Sequence, residues 1–454
     1  MLILSIPFLN KNYVQEKADE YPAYWKEYRL DYAEDLRTFP TEIIDDKTIL
    51  TIRSKDESGI YQFDLAVKIG FYKKMISQKN CLCDLEINEI NNSNISELPS
   101  ASLILSYHDF SVEINYVKLE KIINTSNSIA SAYLKIAVNV NRYSDLIKIS
   151  ELISQSNKPV IFAGMGKFGK ISRVLYKHLG AESTFIGLSD NPTARGQLTP
   201  HEADNFKFNS ITNKTKIGGI IGGEQIEHSL GLKYYNDLFK QKKLDAVYLP
   251  FVTDNFEDLW NWIHKADLDF YGFSITMPFK KIFGEKKQLP AINLFLPKTG
   301  EMLNTDLIAF KQVIDILQIK KPNSILIFGS GATAEIALSA FVAFENVTIS
   351  SRNETSCKIL AKNSNREFIR SGSLKNEMFN LIINCTPIGM NGEDFMNETG
   401  ISNFKKVIDL PYHDNETKLI EYCRGNSIPF VDGKKFWQWQ AEKQLDEFLK
   451  EINK

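Results

Sequence analysis

The chain has 454 residues, of which 43% are hydrophobic and 24% are charged, and its formal net charge is −2 at pH 7. This length accommodates two or three domains, and the near-neutral charge disfavours nucleic acid or an anionic membrane as a partner. No apolar run reaches the length of a membrane span, and the N-terminus lacks signal-peptide features. Five scattered cysteines predict a reducing compartment, with cytoplasm expected, and Cys81 and Cys83 lack the second pair that a metal site would need.

The first half alternates short β-rich runs with stretches of helical period such as 62–74 and 143–155. Alternating strands and helices indicate parallel strands with crossover helices, and eight units in about 210 residues fit an α/β fold, the TIM (β/α)8 barrel. The predicted strands are Leu2–Phe8, Tyr24–Tyr32, Thr48–Arg53, Cys81–Ile87, Leu103–Asp109, Tyr133–Val140, Pro159–Met165 and Glu182–Leu188.

One predicted strand carries a lysine, Lys135, among Leu134, Ile136 and other apolar residues, and the strand before it carries His108 near its end. An amine enclosed by apolar side chains is expected to have a lowered pKa and to act as a nucleophile. A nearby histidine would supply the proton transfers of imine chemistry, although a packed histidine without a catalytic role is the alternative. The pair predicts a Schiff-base enzyme.

Further polar residues fall at or beyond the C-terminal ends of the predicted strands, where a barrel places its active site. Each by itself has the alternative of a solvated surface residue. Together they predict a site for a small anionic substrate rich in hydroxyls, because arginines bind carboxylates through paired hydrogen bonds. These residues are Glu27, Arg29, Arg53, Glu57, Arg173 and Gln197.

Residues 1–212 resemble type I 3-dehydroquinate dehydratase in segments that follow one another in family order. They include Glu-Tyr-Arg-Leu-Asp (27–31), Thr-Ile-Arg-Ser-Lys-Asp-Glu (51–57), Ser-Tyr-His-Asp-Phe (106–110), Leu-Lys-Ile-Ala (134–137) and Lys-Ile-Ser-Arg (170–173). The resemblance implies that Lys135 forms an imine with the substrate ketone, that His108 moves protons and that Glu57 orients His108. The implied substrate contacts are Arg173, Thr193 and Gln197 on the carboxylate side and Glu27, Arg29 and Arg53 at the ring hydroxyls.

The second half begins after a polar linker at 212–216 and contains a dinucleotide fingerprint. The segment 324–338 predicts a strand, a turn with Gly329 and Gly331, and a helix from about Ala332, with Ala334 as the third small residue. Arg352 ends the next predicted strand, 21 residues after Gly331. An arginine there favours the 2′-phosphate of NADP, and a solvated strand-end arginine is the alternative.

Residues 217–454 resemble shikimate dehydrogenase in the segments 228–229, 274–280, 291–293, 304–306, 384–390 and 437–441. The resemblance implies Lys280 and Asp306 as the catalytic proton relay. Without the resemblance, the preferred interpretation of these two residues would be a lysine on the surface and an aspartate in a turn. It implies substrate contacts by Ser229, Thr276, Asn293 and Gln440, and dinucleotide contacts by Gly329, Gly331, Ala334, Arg352, Thr386 and Met390. A substrate lobe is predicted at 217–321, completed by about 428–454, with a Rossmann domain at 322–427.

Two departures from the family pattern leave alternatives open. Gly231 lacks a second hydroxyl for the substrate carboxylate, and Ser351-Arg352-Asn353 replaces the usual phosphate-binding set, so a raised Michaelis constant and a weaker NADP preference are expected. The alternatives are an NAD-preferring quinate or shikimate dehydrogenase, or a weakly active metabolite sensor. The leading hypothesis is a bifunctional shikimate-pathway enzyme that dehydrates 3-dehydroquinate and reduces 3-dehydroshikimate with NADPH, with these small molecules as its partners.

Overall fold

The computed structural model describes residues 1–90, 95–194, 196–285, 291–321, 323–412 and 415–454. The chain forms two compact units, the first comprising Met1–Gly218 with Glu227–Phe270 and the second comprising Gly219–Ile226 with Tyr271–Lys454. The three-part division expected from the sequence stays a prediction. Within the described residues, none of the helices has the length and apolar character that a membrane crossing requires.

The first unit contains eight parallel strands that form a nearly closed barrel. They are β1 (Leu2–Pro7), β2 (Trp25–Arg29), β3 (Thr48–Thr51), β4 (Leu82–Glu86), β5 (Leu103–Asp109), β6 (Tyr133–Asn139), β7 (Val160–Met165) and β8 (Thr184–Gly187). Their order is β7-β6-β5-β4-β3-β2-β1-β8, and a bridge between Ile161 and Ser183 joins β7 to the segment that enters β8. The predicted barrel fold is therefore confirmed.

α-Helices connect most of the barrel strands, as the alternating pattern predicted, whereas the described residues between β2 and β3 and between β4 and β5 form short 3₁₀ turns. The α-helices are α1 (Lys11–Glu20), α2 (Leu65–Gln78), α3 (Tyr116–Asn127), α4 (Tyr143–Ile153), α5 (Gly169–Val174) and α6 (Pro200–Asn205). The first unit also contains α7 (Leu230–Gln241) and α8 (Phe256–Lys265). The strands that follow the barrel in sequence are β9 (Lys216–Gly222), which contains the unit boundary at Gly218, and β10 (Ala246–Val252).

The barrel interior is layered because inward-facing side chains recur at every second position of a strand. The first layer is apolar, and its buried members include Ile3, Ile49, Ile104 and Phe185. Two residues further along their strands, the same faces carry polar side chains instead. This second layer consists of Ser5, Glu27, Thr51, Asp84, Ser106 and Lys135, all buried.

The second unit begins with an antiparallel arrangement of β11 (Phe270–Ile275), β12 (Leu294–Leu296) and β13 (Glu301–Leu303). Helix α9 (Lys280–Glu285) follows β11, and α10 (Thr305–Ile316) follows β13. The remainder contains α11 (Ala332–Ala340), α12 (Glu354–Ser364), α13 (Phe395–Thr399), α14 (Lys418–Gly425) and α15 (Gly433–Ile452).

A six-stranded parallel sheet forms the core of the second unit. Its strands are β14 (Ile325–Phe328), β15 (Val347–Ser350), β16 (Glu367–Phe368), β18 (Leu381–Asn384), β20 (Val407–Asp409) and β21 (Phe430–Asp432); β17 (Met378–Phe379) and β19 (Asn403–Phe404) form a separate pair. The order β16-β15-β14-β18-β20-β21 is the doubly wound order 3-2-1-4-5-6 of a dinucleotide-binding sheet.

The run 379–383 has the apolar composition of one buried strand, but it does not form a single element. The structure divides it between β17 and β18, which belong to different sheets. The break falls at Asn380, whose backbone N–H donates to the Ser324 hydroxyl while its side-chain oxygen accepts from the Ser324 N–H. These bonds to a distant residue redirect the chain, and no local pattern reveals them.

Candidate active sites

The amine of Lys135 lies in the polar layer of the barrel, between two carboxylates. Its Nζ is 2.8 Å from Glu27 Oε1 and 3.0 Å from Asp84 Oδ2. The apolar neighbours Leu134 and Ile136 lie on the opposite face of β6, because adjacent side chains of a strand alternate. The expected enclosure by these neighbours is therefore wrong: the buried amine contacts two carboxylates, and the ring centroid of Phe185 lies 4.2 Å from it.

Glu27 is already engaged by three donors. Besides Lys135, its Oε1 accepts from the Thr51 hydroxyl at 2.9 Å, and its Oε2 accepts from the Ser5 hydroxyl at 2.5 Å. Ser5 in turn accepts from the Thr193 hydroxyl at 2.7 Å. Burial by itself would raise the pKa of Glu27, but the charge of Lys135 holds it below its usual value. Glu27 is thus an ionised partner of Lys135.

His108 and Glu57 form a hydrogen-bonded pair, with Nδ1 of the ring 2.8 Å from Glu57 Oε2. Burial, together with the positive charges of Arg53 and Lys135, holds the pKa of His108 well below its usual value. Burial raises the pKa of Glu57 to about 7, against the opposing charge of Arg53. A neutral ring that donates from Nδ1 to Glu57 has Nε2 free to accept a proton.

Arg53 and Arg29 are occupied by carboxylates. Arg53 donates to Asp84 Oδ1 at 2.9 Å and to the Ser106 hydroxyl at 2.9 Å. Arg29 binds both oxygens of Asp31 at 2.8 Å. Both guanidinium groups lie in the barrel as predicted, and their present contacts hold the anionic residues of the site in place.

The residues predicted for the carboxylate side lie on α5 and on the loop after β8. Arg173 is buried and donates to the carbonyl oxygens of Gly164 and Phe185 at 2.8 and 2.7 Å. Burial lowers the pKa of Arg173 to about 10. Gln197 donates to the Thr193 hydroxyl at 3.2 Å. A hydrogen-bonded chain therefore runs from Gln197 through Thr193 towards the polar layer.

Asp84, on β4, is a site residue that was not predicted from the sequence, because no polar site residue was assigned to that strand. Its carboxylate contacts Lys135 and Arg53 and accepts from the Ser106 hydroxyl at 2.6 Å. A signal was available: Asp84 and Glu86 alternate with Cys83 and Leu85, which predicts a polar face on one side of the strand.

In the second unit, Lys280 and Asp306 are brought together as expected. Lys280 Nζ donates to Asp306 Oδ2 at 2.6 Å. Lys280 begins α9, and Asp306 lies in the first turn of α10, where the Asn304 side chain accepts the N–H of Leu307 as a helix cap. Burial and, after it, the charge of Asp306 raise the pKa of the Tyr412 phenol.

A buried amide network surrounds Asn293. Its Nδ2 donates to the Thr305 hydroxyl at 2.9 Å and to Gln440 Oε1 at 3.4 Å. Gln444, one turn further along α15, accepts from the Ser274 hydroxyl at 2.5 Å and donates to the Asn293 carbonyl at 2.9 Å. Asn293 and Gln440 meet as predicted, whereas Gln444 had escaped notice because a glutamine in a helix carries no local signal of burial.

The two other residues predicted to contact the substrate belong to different units. In the first unit, Ser229 caps α7 and accepts the N–H of Gly231 at 3.3 Å. In the second, Thr276 follows β11 and donates its backbone N–H to the Ile221 carbonyl at 3.0 Å. Gly231 has room for a small side chain, because an added Cβ would lie 3.4 Å from the nearest ring carbon of Tyr235.

The glycine-rich turn has the geometry that a dinucleotide requires. Gly329 follows β14 with φ of 139°, and a Cβ there would lie 3.1 Å from Cys385, in the crevice at the topological switch between β14 and β18. Gly331 caps α11 with open space where its Cβ would be, so a pyrophosphate can approach the helix N-terminus. Buried Ala334, on α11, packs in an apolar core cluster that also contains residues of the sheet.

The remaining dinucleotide candidates lie near the ends of sheet strands. Arg352 is exposed just after β15. Thr386 follows β18 and donates its hydroxyl to Asn384 Oδ1 at 2.7 Å. Met390 is 37% exposed in the loop beyond it. The position of Arg352 suits a contact to a phosphate, and the positions of Thr386 and Met390 suit contacts to a nicotinamide ring.

Comparison with known proteins gives matches to both halves of the chain. The type I 3-dehydroquinase family matches residues 16–210, and the shikimate dehydrogenase substrate binding domain matches residues 221–284. Shikimate dehydrogenase (NADP(+)) of Clostridium perfringens is 30% identical over 238 residues, covering 48% of this chain and 86% of that protein. Shikimate biosynthesis protein AroDE of Chlamydia pneumoniae is 28% identical over 304 residues, covering 64% of this chain and 62% of that protein.

Among solved structures, the dehydroquinate dehydratase and shikimate dehydrogenase of S. pombe AroM is 16% identical and covers 100% of this chain and 98% of that one. The TM-score between the two structures is 0.40. The family matches do not favour the alternatives of an NAD-preferring dehydrogenase or a metabolite sensor.

Proposed function

Because the chain belongs to the shikimate dehydrogenase family and carries a type I 3-dehydroquinase domain ahead of it, we propose that Lys135 and Lys280 are the central residues of its two reactions. The protein is a fused enzyme with a lyase domain and an oxidoreductase domain.

For the lyase reaction, Lys135 forms an imine with the ketone of 3-dehydroquinate, and the protonated imine stabilises the carbanion that forms next. His108 Nε2 removes the neighbouring proton and returns one to the departing hydroxide, while Glu57 holds the opposite side of the ring. The observation that carries this proposal is the buried Lys135 amine in the same polar barrel interior as the 2.8 Å His108–Glu57 hydrogen bond.

Substrate binding in the barrel would exchange present hydrogen-bond partners for substrate groups. The carboxylate side is proposed to involve Arg173, Thr193 and Gln197, and the ring-hydroxyl side to involve Glu27, Arg29 and Arg53. Every one of these side chains already lies in a polar or charged contact, so the substrate meets groups whose geometry is preset.

For the dehydrogenase reaction, Lys280 donates a proton to the carbonyl oxygen of 3-dehydroshikimate, and Asp306 orients the Lys280 amine through their hydrogen bond. Their 2.6 Å contact supports the pair. Thr276, Asn293 and Gln440 are proposed to orient the substrate; for Ser229 a substrate contact remains an expectation from the sequence. A bound nicotinamide dinucleotide supplies the hydride.

NADP is the proposed dinucleotide. Gly329, Gly331 and Ala334 would hold its pyrophosphate, Arg352 its 2′-phosphate, and Thr386 and Met390 its nicotinamide end. Support comes from relatives named as NADP(+) enzymes and from the exposed position of Arg352 after β15.

The proposed domain limits are 1–212 for the barrel, 217–321 with about 428–454 for the substrate lobe, and 322–427 for the Rossmann domain. A cytoplasmic location is also proposed. All five cysteines are free thiols, four of them buried and Cys385 partly buried, which supports a reducing compartment.

Borohydride trapping tests the lyase assignment. Borohydride reduces an imine to a stable amine, so incubation with 3-dehydroquinate should leave the substrate skeleton covalently attached to Lys135 and visible by peptide mass spectrometry. In a separate sample without borohydride, NADPH consumption in step with a transient enone absorbance tests the second reaction. A label on another lysine, or none, rejects Lys135; enone that accumulates while NADPH persists rejects the dehydrogenase assignment.

A further inference from the structure

The two carboxylates at the Lys135 amine have different surroundings. Asp84 is bound by the guanidinium group of Arg53 at 2.9 Å and by the Ser106 hydroxyl at 2.6 Å. Glu27 receives, besides the amine, only hydroxyl groups. A fixed cation stabilises the ionised form of an acid, whereas a hydroxyl can rotate to serve either the ionised or the neutral form.

The two carboxylates also differ in the charges that control their pKa. Burial by itself would raise the pKa of Asp84, but the charges of Arg53 and Lys135 hold it well below its usual value. The pKa of Glu27 is also lowered, and after burial the largest influence on it is Lys135. When Lys135 loses its proton, Glu27 loses the main cation that keeps it ionised, while Asp84 retains Arg53.

Imine formation requires a proton to leave the amine and then return. The ammonium group must become a neutral amine before nitrogen attacks the ketone carbon, and the hydroxyl of the resulting carbinolamine must gain a proton to depart as water. In sum, a ketone and an ammonium group give a protonated imine and water, with no net gain or loss of protons. One nearby acid that takes the proton and gives it back satisfies this balance.

We propose that the two carboxylates divide this work: Glu27 accepts the proton of Lys135 and returns it to the departing hydroxyl, while Asp84 remains ionised as the counter-ion of the imine. The inference rests on the proposed imine at Lys135 and adds two catalytic roles to it. Glu27 Oε1 and Asp84 Oδ2 both contact the reacting nitrogen, at 2.8 and 3.0 Å.

The test compares Glu27→Gln with Asp84→Asn in the full chain. Each protein is mixed rapidly with 3-dehydroquinate and quenched with borohydride, and the label on Lys135 is measured against time at pH 6 to 9. Glu27→Gln should slow imine formation about 100-fold at pH 7, the loss typical of a missing general base. Its rate should rise about tenfold per pH unit towards pH 9, because solvent base then removes the proton.

Asp84→Asn should behave differently. Its initial rate of imine formation should remain within about tenfold of the parent, because Glu27 still accepts the proton. The amount of imine at equilibrium should fall about tenfold, because the protonated imine loses its counter-ion. Asp84→Glu, which keeps the charge, should restore the imine level, and this variant also carries the test if Asp84→Asn does not fold.

Glu151→Gln, which alters an exposed pair with Lys148, is the matched control, and dehydrogenase activity reports the folded fraction of every sample. Two results overturn this inference alone. One is imine formation at the parent rate in Glu27→Gln; the other is an equal loss in the rate of imine formation, with the same pH slope, in the Glu27 and Asp84 variants. Failure of the parent protein to label at Lys135 overturns the proposed function and this inference with it.

Discussion

The His108–Glu57 pair predicts how dehydratase activity depends on pH. Catalysis needs neutral His108 with Nε2 free and ionised Glu57 at Nδ1. Burial raises the pKa of Glu57 to about 7, whereas burial and the nearby cations hold the pKa of His108 well below its usual value. On acidification the pair therefore takes up its proton first at Glu57, and activity is present above about pH 7 and lost below it.

The size of the loss follows from the titration of one group near pH 7. At pH 6 about a tenth of the pair is in the active form, and at pH 5 about a hundredth, so kcat/KM should fall about tenfold per unit. Glu57→Gln replaces the titrating acid by a neutral acceptor. Its activity should be about 10- to 100-fold lower, because the imidazolium loses its counter-ion, but nearly flat from pH 6.5 to 8.

The assay is the enone absorbance of the product, recorded as kcat/KM from pH 5 to 9 at constant ionic strength. Glu151→Gln, an exposed barrel substitution, should retain the parent profile. An acidic limb that stays near pH 7 in Glu57→Gln would refute the reasoning, because it would place the titration on His108 or on the substrate instead of Glu57.

Three further outcomes are expected. Asp306→Asn should lower the dehydrogenase kcat about 10²- to 10⁴-fold, because the Lys280 relay is lost. The dehydratase rate of the same sample should be unchanged, and equal losses in the two activities would contradict this expectation. Gln444→Leu should raise KM for 3-dehydroshikimate at least about tenfold, since it breaks buried hydrogen bonds worth about 1 kcal/mol each. Gln438→Leu, at a half-buried position of α15 whose side chain bonds Glu442 on the same helix, should not. Arg352→Ala should reduce the kcat/KM preference for NADPH over NADH by about tenfold or more, so an unchanged ratio would rule out its phosphate contact.

Much of the fold was readable from local patterns. Parallel barrel strands are covered on both faces and therefore appear as short apolar runs between helical stretches. The turn at Gly329 was readable for a different reason, since tight turns and close backbone approach select glycine. The predicted helix start at Ala332, just after this turn, is confirmed. The break in the apolar run at Asn380 was missed because it depends on a hydrogen bond to Ser324, which is far away in sequence.

The sequence by itself determined which residue types occupy the barrel interior: Lys135 and His108 were identified from their strands. Only the tertiary structure decided what surrounds them. Lys135 meets Glu27, 108 residues away, and Asp84, 51 residues away. Local periodicity specifies the face on which a side chain lies, but not which strand lies opposite, so the charged neighbours of the Lys135 amine became visible only when the barrel closed around it.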